Sequence, residues 1–241
     1  MAQAAVLNTA ARKSVWVRIP PRALVSIVTD HVASYLHAVS GARSQVMAEM
    51  EELAERDGIP IVPWETGRLL AVLVAALQPK RVIEVGTAIG YSTLHMAEAL
   101  GPEGVIVTLE RDRRRIPQAW GFWDRAGVAD RIELVEGDAL QTLPPLAGSF
   151  DMAFVDATKQ EYGDYLGLIE AKLAPRALVA IDNVLMSGEV GLGEDANTEW
   201  SKENLRAARE LNRGLMQSDR WLTSILPIGD GVTLATRRPS P

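Results

Sequence analysis

Apolar and polar residues follow two rhythms along this chain. Between residues 23 and 53 apolar positions recur at helical spacing, and the pattern breaks near Gly41, which predicts two successive helices. From Arg81 onward, short apolar runs alternate with longer helical stretches; the runs are residues 82–85, 105–109, 132–135, 152–155 and 178–181. They are rich in Val, Ile and Leu without polar alternation, as in strands buried on both faces. Alternation of strand and helix predicts an α/β fold with a doubly wound, mostly parallel sheet. Residues 222–228 and 231–236 flank the turn-prone Gly229-Asp230 and predict a terminal antiparallel hairpin, giving seven strands in all. Residues 1–60 read as an N-terminal helical extension packed on the core, and 61–241 as the main body of one domain.

Composition narrows the classes of function. At 241 residues with 47% hydrophobic positions, the chain is long enough for one full core. The net charge of −6 and the lack of a long basic run argue against nucleic acid as a partner, and Arg111, Arg113, Arg114 and Arg115 read as a solvated helix face. With no cysteine, disulfides, thiolate metal sites and a cysteine nucleophile are excluded, so any metal must use oxygen or imidazole. The first residues hold no apolar run long enough for a signal or a membrane span, which predicts a soluble, cytoplasmic protein with no membrane partner.

Open parallel sheets bind ligands beyond the carboxyl ends of their strands. Glu84, Glu110, Asp138, Asp156 and Asp182 each fall at or just after such an end. Solvating acids would be expected on helix faces as well, so this clustering points to a site.

The segment Glu84-Val85-Gly86-Thr87-Ala88-Ile89-Gly90-Tyr91-Ser92 leaves one predicted strand and opens a helix, so its glycines allow a ligand close to the backbone. Glu110, at the end of the next strand, can accept both hydroxyls of a ribose. A dinucleotide site would share that acid, but it needs G-x-G-x-x-G, whereas this loop is G-x-x-x-G with an acid two residues before the first glycine. That acid would repel a pyrophosphate and attract an ammonium or sulfonium, both of which S-adenosylmethionine carries. Gly137-Asp138-Ala139 adds a carboxylate for the exocyclic amine of adenine. These loops resemble those of class I S-adenosylmethionine-dependent methyltransferases. The resemblance implies a Rossmann-like methyltransferase fold with Gly86, Tyr91, Ser92, Glu110 and Asp138 at the cofactor; Glu84, Thr87, Gly90, Ala139 and Asp156 complete the expected set.

A second site follows. One strand ends in Asp156, with Lys159 and Tyr162 beyond it, and the next ends in Asp182-Asn183. Two carboxylates and an amide suit a hard cation, Mg²⁺, Mn²⁺ or Ca²⁺, and leave room for two substrate oxygens. Lys159, three residues past Asp156, can point into the same pocket, and an ammonium is disfavoured beside a divalent cation, so it reads as the general base. The runs Phe154-Val155-Asp156-Ala157-Thr158-Lys159-Gln160-Glu161-Tyr162 and Ile181-Asp182-Asn183-Val184, together with the cofactor loops, resemble the cation-dependent O-methyltransferases that include the catechol and caffeoyl-CoA enzymes. The likeness runs from about Val62 to Arg237. It implies Asp156, Asp182 and Asn183 as metal ligands, Lys159 as base, and a homodimer. Thr158 departs from the pattern, because many members carry an acid there.

For the acceptor, Trp64, Met186 and Trp200 are the expected contacts, the last two in the Gly- and acid-rich stretch 186–200. Net acidity favours a compact catechol or hydroxyarene acid over a coenzyme A thioester, and a role in tailoring a secondary metabolite extends the likeness further. His31, His37 and His95 read as structural or surface residues, and Trp120 and Trp123 as helix residues packed on the sheet. Three alternatives stay open: a metal-independent methyltransferase of the same fold, a nicotinamide-dependent oxidoreductase, and a cofactor-binding scaffold without chemistry.

Overall fold

The structure, a computed structural model, describes residues 30–193 and 195–239. Helices α1 (Asp30–Val39) and α2 (Gln45–Asp57) flank the expected break, with Gly41 at φ 25° between them. Residues 23–29 of the first predicted helix lie outside the described residues. Helix α2 starts because the Ser44 hydroxyl accepts the Met47 N–H, and it ends where Gly58 turns left-handed at φ 62°. Among the described residues the chain divides into two units between Ala42 and Arg43. The boundary falls earlier than residue 60 because Met47, Met50 and Ala54 of α2 are buried in the core of the second unit. Among the described residues no helix is long and apolar enough to cross a membrane.

In the second unit α3 (Trp64–Leu77) precedes β1 (Arg81–Val85), α4 (Tyr91–Ala99), β2 (Val105–Glu110), α5 (Ile116–Ala126) and β3 (Ile132–Glu136). Then come the short α6 (Ala139–Thr142), β4 (Phe150–Val155), α7 (Tyr162–Glu170), β5 (Leu173–Ile181), α8 (Lys202–Met216), β6 (Trp221–Leu226) and β7 (Val232–Arg237). The strands form one seven-stranded sheet in the order β3-β2-β1-β4-β5-β7-β6. The five strands β1 to β5 are parallel, while β7 runs antiparallel to both β5 and β6. This is the doubly wound sheet with a terminal hairpin that the apolar runs predict. Strand β5 begins five residues before its apolar run because Pro175 and Arg176 sit at its exposed start, beside a register shift against β4.

Side chains alternate across the sheet, so each central strand feeds two cores. Val82, Ile106, Met152 and Phe154 face one side, with Leu70 of α3, Leu94 of α4 and Trp123 of α5. Ile83, Val107, Ala153 and Val155 face the other, with Tyr165 and Ile169 of α7 and Leu215 of α8. The same parity turns Glu84 toward α4. There it is fully buried and accepts from the hydroxyls of Ser92 (2.6 Å), Thr93 (2.5 Å) and Thr108 (2.6 Å). Thr87 in turn bonds Thr108 at 2.6 Å. Burial outweighs the three donors and pushes the Glu84 carboxyl up to about 7, with the Asp156 charge adding to the rise.

A carboxyl whose folded pKa is raised binds its proton more tightly in the native state. Its stabilising contribution is therefore complete below the ordinary value of 4.5 and is lost as pH climbs through about 7. The unfolding free energy of the native chain, measured in urea, is expected to fall relative to Glu84→Gln between pH 5 and pH 8 by on the order of 2–3 kcal/mol. Taking the difference between the two proteins cancels His95 and the other titrating groups that do not interact with Glu84. A difference that stays constant with pH would mean that the carboxyl is already ionised throughout.

Candidate active site

The parallel ladder continues one residue beyond the strands. Gly86 N–H donates to Leu109 O (3.1 Å), Asp156 N–H to Val85 O (2.9 Å), Asp182 N–H to Val155 O (3.0 Å) and Gly137 N–H to Glu110 O (2.9 Å). The strand tips therefore stand in one row, and the winding of the sheet reverses between β1 and β4, where open α/β sheets form their binding crevice. A cavity of about 650 Å³ opens along this row. It is large enough for a drug-sized ligand.

On the side of β1 and β2, Gly86 has φ 97°, and a Cβ there would overlap the Asp156 carbonyl, so only glycine lets the two strand tips pass this closely. Glu110, 6% exposed, accepts from the N–H of Ala88 (2.7 Å) and of Asp112 (2.7 Å), which fixes both loops around its carboxylate. Asp138 caps α6 through the Leu140 N–H at 2.8 Å. The Tyr91 ring borders the cavity, but its hydroxyl turns away to donate to Glu51 of α2, which Arg43 also meets at 3.3 Å. Trp123 steadies the loop from behind by donating its indole N–H to Gly90 O at 3.0 Å.

On the side of β4 and β5, the Lys159 ammonium donates to Asp156 Oδ1 (2.7 Å) and to Asn183 Oδ1 (2.6 Å). It also lies 5.2 Å from the centre of the Tyr162 ring. Asp182, 1% exposed, accepts the Asn183 N–H on Oδ1 at 2.8 Å, while its Oδ2 is buried without a hydrogen-bond partner. Burial and the neighbouring Asp156 carboxylate push the Asp182 carboxyl above its usual range. A buried, unpaired carboxylate oxygen is costly unless something positive reaches it. Among the described residues no three His, Cys, Asp or Glu side chains form a metal-holding group. The set reaches three donors only through the Asn183 amide oxygen. The Asp156 carboxylate and the Asn183 oxygen, already gathered on one ammonium, together with the partnerless Asp182 oxygen, fit a hard divalent ion.

Gly86, Thr87, Tyr91, Ser92, Glu110, Asp138, Ala139, Asp156, Lys159, Asp182, Asn183 and Trp200 all line the cavity. Four residues expected at the site stand off it. Glu84 is turned inward by strand parity, as described above. Gly90 lies behind the loop against Trp123, where a Cβ would overlap the indole. Trp64 begins α3 facing His95 (5.0 Å between rings) with Arg43 over its face, and residues 60–63 before it border the cavity instead. Met186 is wholly buried in a small cluster with Leu205 and Ala208 of α8.

Asn204 and Asp230 also line the cavity, and neither stood out in the sequence. The Gly-Asp-Gly turn at 229–231 was visible as a turn, but nothing local to it shows that it lands on the tip of β5. His95 is buried between Trp64 and Tyr91, and burial followed by the charges of Arg68 and Arg43 brings its pKa down to about 4, so it is a neutral core residue at pH 7. His31 and His37 are exposed. Trp123 is fully buried, whereas Trp120 keeps 37% of its surface.

Comparison with known proteins agrees with this geometry. Residues 37–238 match the O-methyltransferase family. A catechol O-methyltransferase of Mycobacterium tuberculosis is 40% identical over 152 residues, 62% of this chain and 69% of that protein. Caffeoyl-CoA O-methyltransferase 2 of Zea mays is 33% identical over 208 residues, 79% of this chain and 76% of its own. Among solved structures, the Streptomyces achromogenes O-methyltransferase TomG, determined in complex with SAM, superposes with a TM-score of 0.76 at 28% identity, covering 87% of this chain and 97% of that one. The Podospora anserina methyltransferase PaMTH1, bound to SAH, gives 0.77 at 29% identity, with 87% and 95% covered. A strand-tip cavity bordered by a glycine loop, in a chain matched over most of its length, makes this protein an S-adenosylmethionine-dependent enzyme of the O-methyltransferase family.

Proposed function

We propose that this enzyme methylates one hydroxyl of a small aromatic acceptor bearing two adjacent oxygens, a catechol in the simplest case, with the help of Mg²⁺ or a similar divalent cation. The observation that carries the reading is the clamp around Lys159. Asp156 Oδ1 and Asn183 Oδ1 converge on one positive group, and Asp182 keeps a buried oxygen without a partner. When bound, the cation would polarise the acceptor hydroxyl and favour its deprotonated form near neutral pH.

The remaining roles belong to this chain's own groups. Glu110 and Asp138 would receive the ribose and adenine, and the bare backbone at Gly86 would let the donor come close. Asp156, Asp182 and Asn183 would hold the cation beside the acceptor's vicinal oxygens. Lys159, once a bound cation had displaced its ammonium proton to solvent, would take the acceptor proton on the neutral Nζ; the phenolate oxygen would then bond to the donor's methyl carbon while the carbon–sulfur pair stays on sulfur, leaving S-adenosylhomocysteine. Because the strand tips bring both halves into one cavity, alignment supplies a large share of the rate, and the base adds its own factor. Trp200 and Asn204 border the space left for the aromatic ring.

Two outcomes test this. With S-adenosylmethionine and a catechol, EDTA should remove turnover and Mg²⁺ restore it, and Asp182→Ala should lose at least about a hundredfold in kcat; activity that survives EDTA would move the reaction to a metal-independent route. Lys159→Ala should lower kcat by about 10²- to 10⁴-fold while calorimetry gives an unchanged affinity for S-adenosylhomocysteine. Normal turnover by the lysine variant would take the base away from Lys159.

A further inference from the structure

We propose that Asp230, in the turn between β6 and β7, is a positioning residue for the cation site: it fixes the Asn183 carboxamide so that the oxygen, and not the nitrogen, is presented to the ion. The inference rests on the metal-assisted reading above.

The stretch after β5 is held in an unfavourable backbone. Asn183 has φ 58°, Met186 46°, Ser187 54° and Gly188 85°. Each side-chain-bearing residue in this left-handed region costs on the order of 1 kcal/mol or more, and such a conformation persists only where its surroundings over-determine it. The hairpin turn supplies those surroundings. Val184 N–H donates to Gly231 O (3.0 Å), Leu185 N–H to Asp230 O (2.9 Å) and Met186 N–H to Asp230 O (3.0 Å). Three consecutive amides are thus read by two carbonyls. Gly231, at φ 91°, packs so closely on Leu185 that a Cβ there would meet its side chain and backbone.

The Asp230 side chain adds a second function to this staple. Its Oδ1 accepts from the Ser187 hydroxyl at 3.0 Å, and its Oδ2 accepts from Asn183 Nδ2 at 3.4 Å. At the opposite end of the same amide, Asn183 Oδ1 accepts from Lys159 at 2.6 Å. A carboxamide has one donating and one accepting end. Turned over, it would aim its NH₂ at the ammonium and its oxygen at a carboxylate, so both contacts would become repulsive. The carboxylate of Asp230 thereby orients a group 47 residues away in sequence. A divalent cation binds the amide oxygen and not the nitrogen, so the orientation sets the third donor before the ion arrives.

Side-chain and main-chain roles separate cleanly, because the two carbonyl staples survive any substitution at 230. The test uses the full chain, with Mn²⁺ as the probe, read by electron paramagnetic resonance in the absence of acceptor and without turnover. Asp230→Ala should weaken Mn²⁺ binding by about 10- to 100-fold. Asp230→Asn should bind within threefold of the native chain, since its amide oxygen still accepts from Asn183 and its NH₂ can donate to Ser187. Both should hold S-adenosylhomocysteine as the native chain does, which a general collapse of the site would not allow. If Asp230→Ala fails to fold, Asp230→Ser, too short to reach the amide and at home in turns, takes its place with the same expectation. Native-like Mn²⁺ affinity in the alanine or serine variant would overturn the proposal. So would an asparagine variant as weak as alanine, because charge and not orientation would then be at work. A native chain that binds no Mn²⁺ would instead overturn the cation reading itself and this inference with it.

Discussion

Adjacent parallel strands that end together bring their next residues side by side, and in this protein two of those residues are acids. The ladder bonds from Asp156 N–H to Val85 O and from Asp182 N–H to Val155 O hold the main chains of the two residues on neighbouring strand tips. Asp182 is nearly sealed from solvent, so its charge is neither screened by water nor paired on both oxygens. Left alone, this arrangement would be a defect. The chain surrounds it with positive or donating groups: the Lys159 ammonium, the Asn183 main-chain N–H and, in the proposed working state, a divalent ion. On the proposed reading, electrostatic cost at a strand tip becomes affinity for a cation.

The same row of tips explains why donor and acceptor can meet. Gly86 passes so close to the Asp156 carbonyl that the glycine loop and the loop after β4 share a van der Waals boundary. Methyl transfer needs a nucleophilic oxygen, a sulfonium carbon and a leaving sulfur in line. A backbone contact between the two loops holds that line more firmly than long side chains could. Glu84, which the loop motif placed at the cofactor, is spent on rigidity instead: three hydroxyls from α4 and β2 tie the loop's root to the sheet.

Much of this was legible in the sequence because it is local. Val-rich runs mark doubly buried strands, a glycine loop after a strand marks a crevice, and Asp182-Asn183 at a strand end marks oxygen donors. What escaped depends on direction or on distance along the chain. The parity of β1 places Val85 on one face and Glu84 on the other, so the acid belongs to the α4 side even though it sits at the strand's end. Trp64 lies one residue past the loop that borders the cavity, and the first turn of α3 aims it at His95. Met186 follows the metal ligands closely enough to suggest the acceptor pocket, yet its left-handed backbone, held by Asp230 O, directs the side chain under α8. Asp230 itself could be found only once β7 was known to pair with β5.

That pairing gives the terminal hairpin a purpose beyond completing the sheet. In the register, Thr233 stands beside Ile181, so the turn before β7 lands on the residues that follow β5. A parallel strand at this edge would carry its preceding loop to the opposite end of the sheet, where it could not touch Asn183. Antiparallel insertion is therefore the topology that returns a turn to the active edge. The strained segment 183–188 persists because that turn meets its amides one after another. On this view the hairpin and the cation site form one cooperative unit. Loosening the turn would release the left-handed residues first and disorder the third oxygen donor before it disturbed the nucleoside side, whose loops are anchored independently by Glu110 and Trp123.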